Sequence, residues 1–284
     1  MRNFEKFTIE SIKNLKQPTI FFWLKNQGFS ENYIKHLRKE NMVFLNNIPV
    51  NIRAKINNGD LLEIAQNPNR ATKIQKCDGK LEILFEDGDF LIVNKPHNLA
   101  CMPTRSHFAN NLGGQICAYM GNDFTLRIVN RLDRETAGIV VIAKNVIASN
   151  NIKLEKEYHA LCHGIINEKM TINQPILTIQ ENGINQQKRI ISPLGKPSIT
   201  HVHPIKIYKD RTLIKLILET GRTHQIRVHL SHIGHPLVGD TLYGRINPSH
   251  TYLILKKISF IHFRTKETLS FEVNYPEDWK THLK

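Results

Sequence analysis

The 284-residue chain carries 39 lysines and arginines against 25 acids, a formal charge of +14 with a pI near 9.6, which argues for a polyanionic partner, nucleic acid foremost, over an acidic small substrate. Cys77, Cys101, Cys117 and Cys162 show no C-x-x-C spacing, so neither a structural zinc centre nor a disulfide framework is expected, and a reducing cytoplasm fits. No apolar run approaches the roughly 18 residues that a membrane helix needs, and "MRNFEKFTIESIKNLK" alternates charged with apolar residues and has no apolar signal core, so a soluble protein without a membrane partner is expected.

In chain order, residues 18–65 read as a compact module of their own. A first helix should end near Gly28, and Ser30 with Glu31 behind it predicts the start of a second. Tyr33, Ile34 and Leu37 take spacings that face a small core, while Lys35, His36, Arg38 and Lys39 make the remaining surface basic. Asn46-Asn47 between two apolar triplets predicts a hairpin, because Asn tolerates the positive φ of a two-residue turn, and Gly59-Asp60 introduces a strand from Leu61 to Ile64. Residues 67–80 are polar, contain Pro68 and lack an apolar period, so they are expected to link residues 1–66 to a larger unit, residues 81–284.

From Leu81 the pattern is short apolar strands separated by turns and a few helical stretches, without repeats. It predicts an α+β fold, a mixed and mostly antiparallel sheet flanked by helices, with a small N-terminal α/β module ahead of it. Strands are expected on both sides of Asp87-Gly88, over Leu213–Leu218 and over Leu253–Phe263, while Asn182–Pro204 reads as an extended surface excursion. In "LRIVNRLDRETAGIVVIAK", Leu126, Ile128 and Val129 read as the end of one strand and Ile139–Ala143 as the start of the next. Asp133 then stands in the connection, flanked by Arg131 and Arg134, which is either a solvated ion-pair loop or a positioned acid. In "TGRTHQIRVHLSHIG", Arg222 falls at a strand-to-helix junction suited to an anion, with Thr223 as N-cap and Gly234 as terminator. His229, His232 and His235 are spaced by three, yet no cysteine or acidic pair accompanies them, so capping, packing or phosphate contact is preferred to a metal.

Together "VNKP", "NRLDRETAGIVVIAK", "KEYHALCHG", "GKPSITHV" and "TGRTHQIRVHLSHIGHPLVGDTLYG" resemble, in order and spacing, the signature segments of the RluA-type pseudouridine synthases, over most of residues 81–263. Residues 18–65 resemble, more loosely, the small alpha-L RNA-binding domain that often precedes such a catalytic domain. The resemblance implies the pseudouridine synthase fold and a cofactor-free, metal-free isomerisation of uridines in structured ribosomal or transfer RNA, by a monomer. It implies catalytic roles for Asp133, for Tyr158 of "KEYHA" and for Arg222 as the arginine that pairs with the aspartate. It also implies that Arg131 displaces the target base, and RNA contacts are expected of Arg134, Lys35, Arg38 and Lys39 as well. Where the family usually has His, Ser, Gly, His and His-Ala, this chain has Asn130, Ala137, Asn98, Met102 and Ile254-Leu255, which bears on RNA choice and rate. Those departures motivate a rival reading, a catalytically weak RNA-binding or ribosome-assembly protein on the same fold; a zinc hydrolase is a distant third.

Overall fold

The computed structural model describes residues 4–65, 74–103, 110–121, 124–180, 187–244 and 250–283. The N-terminal module opens on a strand that the composition-based reading passed over: β1 (Phe4–Thr8) pairs antiparallel with β4 (Leu61–Ala65), Phe4 opposite Ala65 and Thr8 opposite Leu61. The alternation in "FEKFT" was the available signal. With β2 (Val43–Leu45) and β3 (Ile48–Pro49) the strand order is β1-β4-β2-β3, and the turn between β2 and β3 is the expected one, with φ of 52° at Asn46 and 67° at Asn47. Helices α1 (Ile20–Asn26) and α2 (Glu31–Lys39) close one face, and Ser30 caps α2 by accepting the Tyr33 N–H at 3.3 Å. Ile20, Leu24, Ile34, Leu37, Leu62 and Ile64 fill the core between them, which leaves Lys35, Arg38 and Lys39 on the solvent side.

A nine-stranded sheet forms the larger unit. Its strands are β5 (Glu82–Glu86), β6 (Phe90–Lys95), β7 (Ala137–Ala143), β8 (Glu155–His163), β9 (Met170–Asn173), β12 (Ile199–Ile207), β13 (Arg211–Leu218), β14 (Leu253–Ile261) and β15 (Thr268–Glu272), in the order β5-β6-β7-β14-β8-β13-β12-β9 with β15 against β14. Among these described strands every pairing is antiparallel except β7 with β14. That pair meets at Gly138, whose φ is +117° and where an added Cβ would lie 2.3 Å from the Leu255 carbonyl oxygen, so the close approach requires glycine. Strand β7 is buried at every residue, as expected of a central strand covered on both faces. Helices α3 (Leu112–Met120), α4 (Val146–Asn150) and α5 (Gln225–His232) pack around the sheet.

Two expectations are corrected. Residues 126–129 form no strand but run beside β7, with the Val129 N–H donating to Val141 O at 2.8 Å and the Ala143 N–H to Arg127 O at 2.9 Å. The excursion over Asn182–Pro204 lies partly outside the described residues, and its remainder is ordered: β11 (Gln187–Ile191) forms a separate hairpin with β10 (Ile176–Gln180), and β12 enters the large sheet with Thr200 and Val202 fully buried. Polar alternation in "SITHV" masked a strand whose two faces differ. In the stretch read as a linker, residues 67–73 lie outside the described residues, and residues 74–80 have no regular structure but lean on α3, with the Cys77 N–H 3.4 Å from Gly114 O. The two units touch elsewhere: Arg127 pairs with Glu5 at 3.1 Å, Asn151 Nδ2 donates to Gln27 O at 3.0 Å, and Ile147 of α4 packs into the module's core.

Candidate active site

The loop ahead of β7, the first residue of β14, the early part of β8, the end of β13 and the start of α5 border a cleft of about 680 Å³. Arg131, Asp133, Tyr158 and Arg222 all line it, so residues 91 positions apart in the chain meet in one place. The Asp133 loop is pinned from several sides. Asn130, buried, donates from Nδ2 to Ile139 O at 3.0 Å and accepts the Val141 N–H at 2.9 Å, docking the loop onto β7. Leu132 N–H meets the Cys101 sulfur at 3.3 Å, and the Thr136 N–H closes a turn on Asp133 O at 3.1 Å. Beneath it lies Lys95 of the "VNKP" segment, with no exposed surface, donating to Pro96 O and Leu99 O at 2.8 Å each and to Arg134 O at 3.2 Å. Burial pulls the Lys95 ammonium down to about 8, with the charges of Cys101 and Asp133 opposing that pull. Asn98, where the resembled family usually has glycine, adopts φ 62°, a conformation that Asn tolerates.

The second wall is the junction from β13 into α5. Its organiser is Gln225, which accepts from Thr220 Oγ1 at 2.9 Å and the Arg222 N–H at 3.0 Å and donates to Ile199 O at 2.9 Å and Thr200 Oγ1 at 3.1 Å. The N-cap is His224 rather than Thr223, because the chain turns through a left-handed residue there, with φ 58°. Gly234, φ 84°, ends the helix as expected. Arg222 corrects a further expectation. Its guanidinium lies at the exposed rim and donates from Nε to Pro197 O at 3.3 Å, and the group that faces the Asp133 carboxylate is the His224 imidazole, held below its usual pKa by burial, with Nε2 3.7 Å from Oδ2. Its Nδ1 shares a hydrogen bond with the Tyr243 phenol at 3.0 Å, and that phenol oxygen accepts the Arg189 N–H at 3.1 Å.

Sequence reasoning chose the first arginine of "GRTHQIR", whereas the second, Arg227, is the one buried in the cleft wall. Arg227 grips Asp240 with two bonds, Nε to Oδ2 at 2.8 Å and a terminal nitrogen to Oδ1 at 2.7 Å, and reaches Glu135 at 3.1 Å. Desolvation works against its charge, but hydrogen bonding and the charges of Asp240, Glu135 and Asp133 outweigh it and hold the guanidinium above its usual value. Asp240 is fully buried, yet its bonds from Arg227 and from the Leu242 and Tyr243 N–H groups keep its carboxyl below the usual range. The signal was present in the spacing: Arg227 sits one turn into α5 among apolar residues, and an arginine there needs a buried acid, which the "VGD" of Val238–Asp240 supplies.

Tyr158 on β8 faces the cleft at 8% exposure, and burial, reinforced by the charge of Asp133, pushes its phenol well above the usual tyrosine range, so it remains a neutral O–H donor with an aromatic face. Among the described residues Asp133 is the one acid lining the cleft, against Arg131, Lys153, Lys156, Arg222 and Arg227. Two of the three spaced histidines serve packing, and His232 is exposed. His229, fully buried, bridges Thr200 Oγ1 and Gln174 O at 2.9 Å each, and His235 Nδ1 bonds His163 O at 2.9 Å. One group of the described residues, His97, His250 and Asp278, brings ligand atoms within 4.8 Å of one another away from the cleft, but the two imidazoles stack at 3.8 Å and 1°, so their lone pairs run parallel instead of converging. Arg134 is exposed beside Glu135 at 3.7 Å, and Lys35, Arg38 and Lys39 lie on the separate module.

The sequence profile of the RNA pseudouridylate synthase family matches residues 89–232. The chain is 34% identical over 227 residues to ribosomal large subunit pseudouridine synthase D of Pasteurella multocida, covering 76% of this chain and 69% of that one. It is 32% identical over 267 residues to the uncharacterized RNA pseudouridine synthase YlyB of Bacillus subtilis, covering 88% and 87%. Among solved structures it is similar to human RNA pseudouridylate synthase domain containing 1, with a TM-score of 0.58, 26% identity and coverage of 72% of this chain and 86% of that one.

Proposed function

The chain belongs to the RNA pseudouridylate synthase family, and from that premise we propose that it converts particular uridines of structured RNA, ribosomal RNA first and transfer RNA second, into pseudouridine through Asp133, without a cofactor. The reaction breaks the N1–C1′ bond, turns the uracil and rejoins it through C5. The proton leaving C5 is balanced by one gained at N1, so neither an oxidant nor an energy donor is needed. Asp133 supplies the electron pair for the exchange, at the sugar or at the uracil. Tyr158 stacks on the extruded base and offers a phenol for proton movement at C5. Arg227, anchored by Asp240 and Glu135, supplies fixed positive charge beside the carboxylate, while Arg222 and Arg131 at the rim meet RNA. The observation that carries this reading is the placement of a single carboxylate, Asp133, with Tyr158 and Arg227 in a cleft whose other charged lining residues, among those described, are cations.

Unmodified transcripts of ribosomal and transfer RNA are incubated with wild-type protein and with Asp133→Asn, and pseudouridines are mapped by carbodiimide-dependent stops of reverse transcription. New stops with wild type alone support the reading. Tight binding with no stop from either protein would instead favour an RNA-binding or assembly role on the same fold.

A further inference from the structure

Side chains alternate along a strand, so Lys156 and Tyr158 of β8 share one face, and both line the cleft. Glu157 between them turns the other way, where its carboxylate meets His159 Nε2 at 2.9 Å and Lys215 Nζ at 3.9 Å. Lys156 is therefore separated by the sheet itself from both sequence-adjacent acids, Glu157 and Glu155, the latter accepting from Ser259 Oγ at 2.9 Å. It is half-buried, and desolvation alone holds its ammonium below the usual lysine range, with no neighbouring charge restoring it. The other cleft cations are settled differently: Arg227 by Asp240 and Glu135, Arg222 by Pro197 O, and Arg131 and Lys153 by water at the exposed rim. Among the described residues Lys156 has no hydrogen-bond or ion-pair partner. A partly desolvated ammonium without a counter-charge costs free energy in the unbound protein, and an anion delivered by the ligand removes that cost.

We propose that Lys156 seats the backbone phosphate flanking the uridine that stacks on Tyr158, an inference that rests on RNA being the ligand but not on the chemistry of Asp133. Two residues along a strand span roughly 7 Å, which one nucleotide bridges from base to backbone. The ion pair then fixes the sugar of the extruded nucleotide between Lys156 and the Asp133 loop.

The probe is a short RNA hairpin with a single unpaired uridine, made with natural phosphates and with a neutral methylphosphonate on either side of that uridine. Its affinity is titrated against salt for wild type, Lys156→Met and Lys156→Arg. Neutralising Lys156 should weaken binding several-fold and flatten the slope of log affinity against log salt by about 0.7, the value for one contact on unpaired RNA, while Lys156→Arg keeps the slope. Methylphosphonate on one side should weaken wild type by a similar factor and leave Lys156→Met unaffected, since the two changes remove one interaction. Additive losses, or an unchanged slope in Lys156→Met, would overturn the assignment. The methylphosphonate effect on wild type needs no variant to fold. Because binding is read without turnover, a wild type that makes no pseudouridine but shows this coupling would sink the proposed function and leave the phosphate seat standing.

Discussion

A carboxylate that is to attack carbon must stay free of short, permanent hydrogen bonds, and Asp133 meets that demand: its described side-chain contact is the His224 imidazole at 3.7 Å, while the bonds that hold its loop fall on backbone and on Asn130. Asp133→Asn preserves shape and should lower single-turnover pseudouridine formation by at least about 1000-fold, the order lost when a reaction's nucleophile or base is removed. Thermal melting and RNA affinity should stay near wild type, and appreciable turnover by the variant would remove Asp133 from the mechanism. Arg227 should behave otherwise. Arg227→Met leaves Asp240 buried and uncompensated, at a cost of about 3 to 5 kcal/mol, so urea unfolding should shift strongly along with the loss of rate, whereas Arg222→Met at the rim should cost little stability. Equal stability losses in the two variants would contradict the burial of Arg227 against Asp240. Lys95 adds a pH dependence. Its folded-state value, lowered to about 8 from 10.5, means that between those pH values the folded chain holds fewer protons than the unfolded one, so its contribution makes stability rise with pH. Activity should move oppositely, falling above about pH 8 as the amine loses a donor to the carbonyls of Pro96, Leu99 and Arg134 that support the Asp133 loop. A pH–rate profile of wild type against Lys95→Met tests this, and a limb near 8 that persists in the variant would assign it elsewhere.

At the scale of elements, the site depends on β7 and β14 running parallel and close enough to bring the Asp133 loop beside Tyr158. Gly138→Ala forces a Cβ to within 2.3 Å of the Leu255 carbonyl at φ +117°, where neither backbone can yield cheaply. It should destabilise on the order of 3 kcal/mol, read as a lower urea midpoint with an unchanged slope. A midpoint within error of wild type would mean that the two strands slide apart freely. The Asn46-Asn47 turn and the Ser30 cap were legible in the sequence because their determinants are local. What sequence reading missed depended on distant partners. Arg227 could be told from Arg222 only through Asp240, thirteen residues on, and β12 could be told from a surface loop only through β9 and β13 on its two edges. Thr223 lost the N-cap to His224 because the chain turns through a left-handed residue at His224, φ 58°, while the Gln225 N–H that a Thr223 cap would take is held by Arg222 O at 3.0 Å.

The whole molecule sets two basic surfaces on one frame: the cleft, and the outer side of α2 with Lys35, Arg38 and Lys39, joined through Arg127–Glu5, Asn151–Gln27 and the packing of Ile147. If chemistry belongs to the first surface, the second should add affinity and not rate. Replacing Lys35, Arg38 and Lys39 together by glutamine leaves the core residues Ile34 and Leu37 untouched, and the folded protein should be retained. If those three cations each meet a phosphate, every lost contact removes about 0.7 to 0.9 from the slope of log affinity against log salt, so the triple variant should bind long structured RNA with a slope flatter by about two to three. Binding would become both weaker and less sensitive to salt, while the single-turnover rate at saturating protein stayed within about twofold of wild type. A salt titration beside single-turnover kinetics separates the possibilities. An unchanged slope would mean that α2 does not touch the phosphate backbone, and a collapsed saturating rate would mean that the module orients the RNA over Asp133 instead of merely holding it.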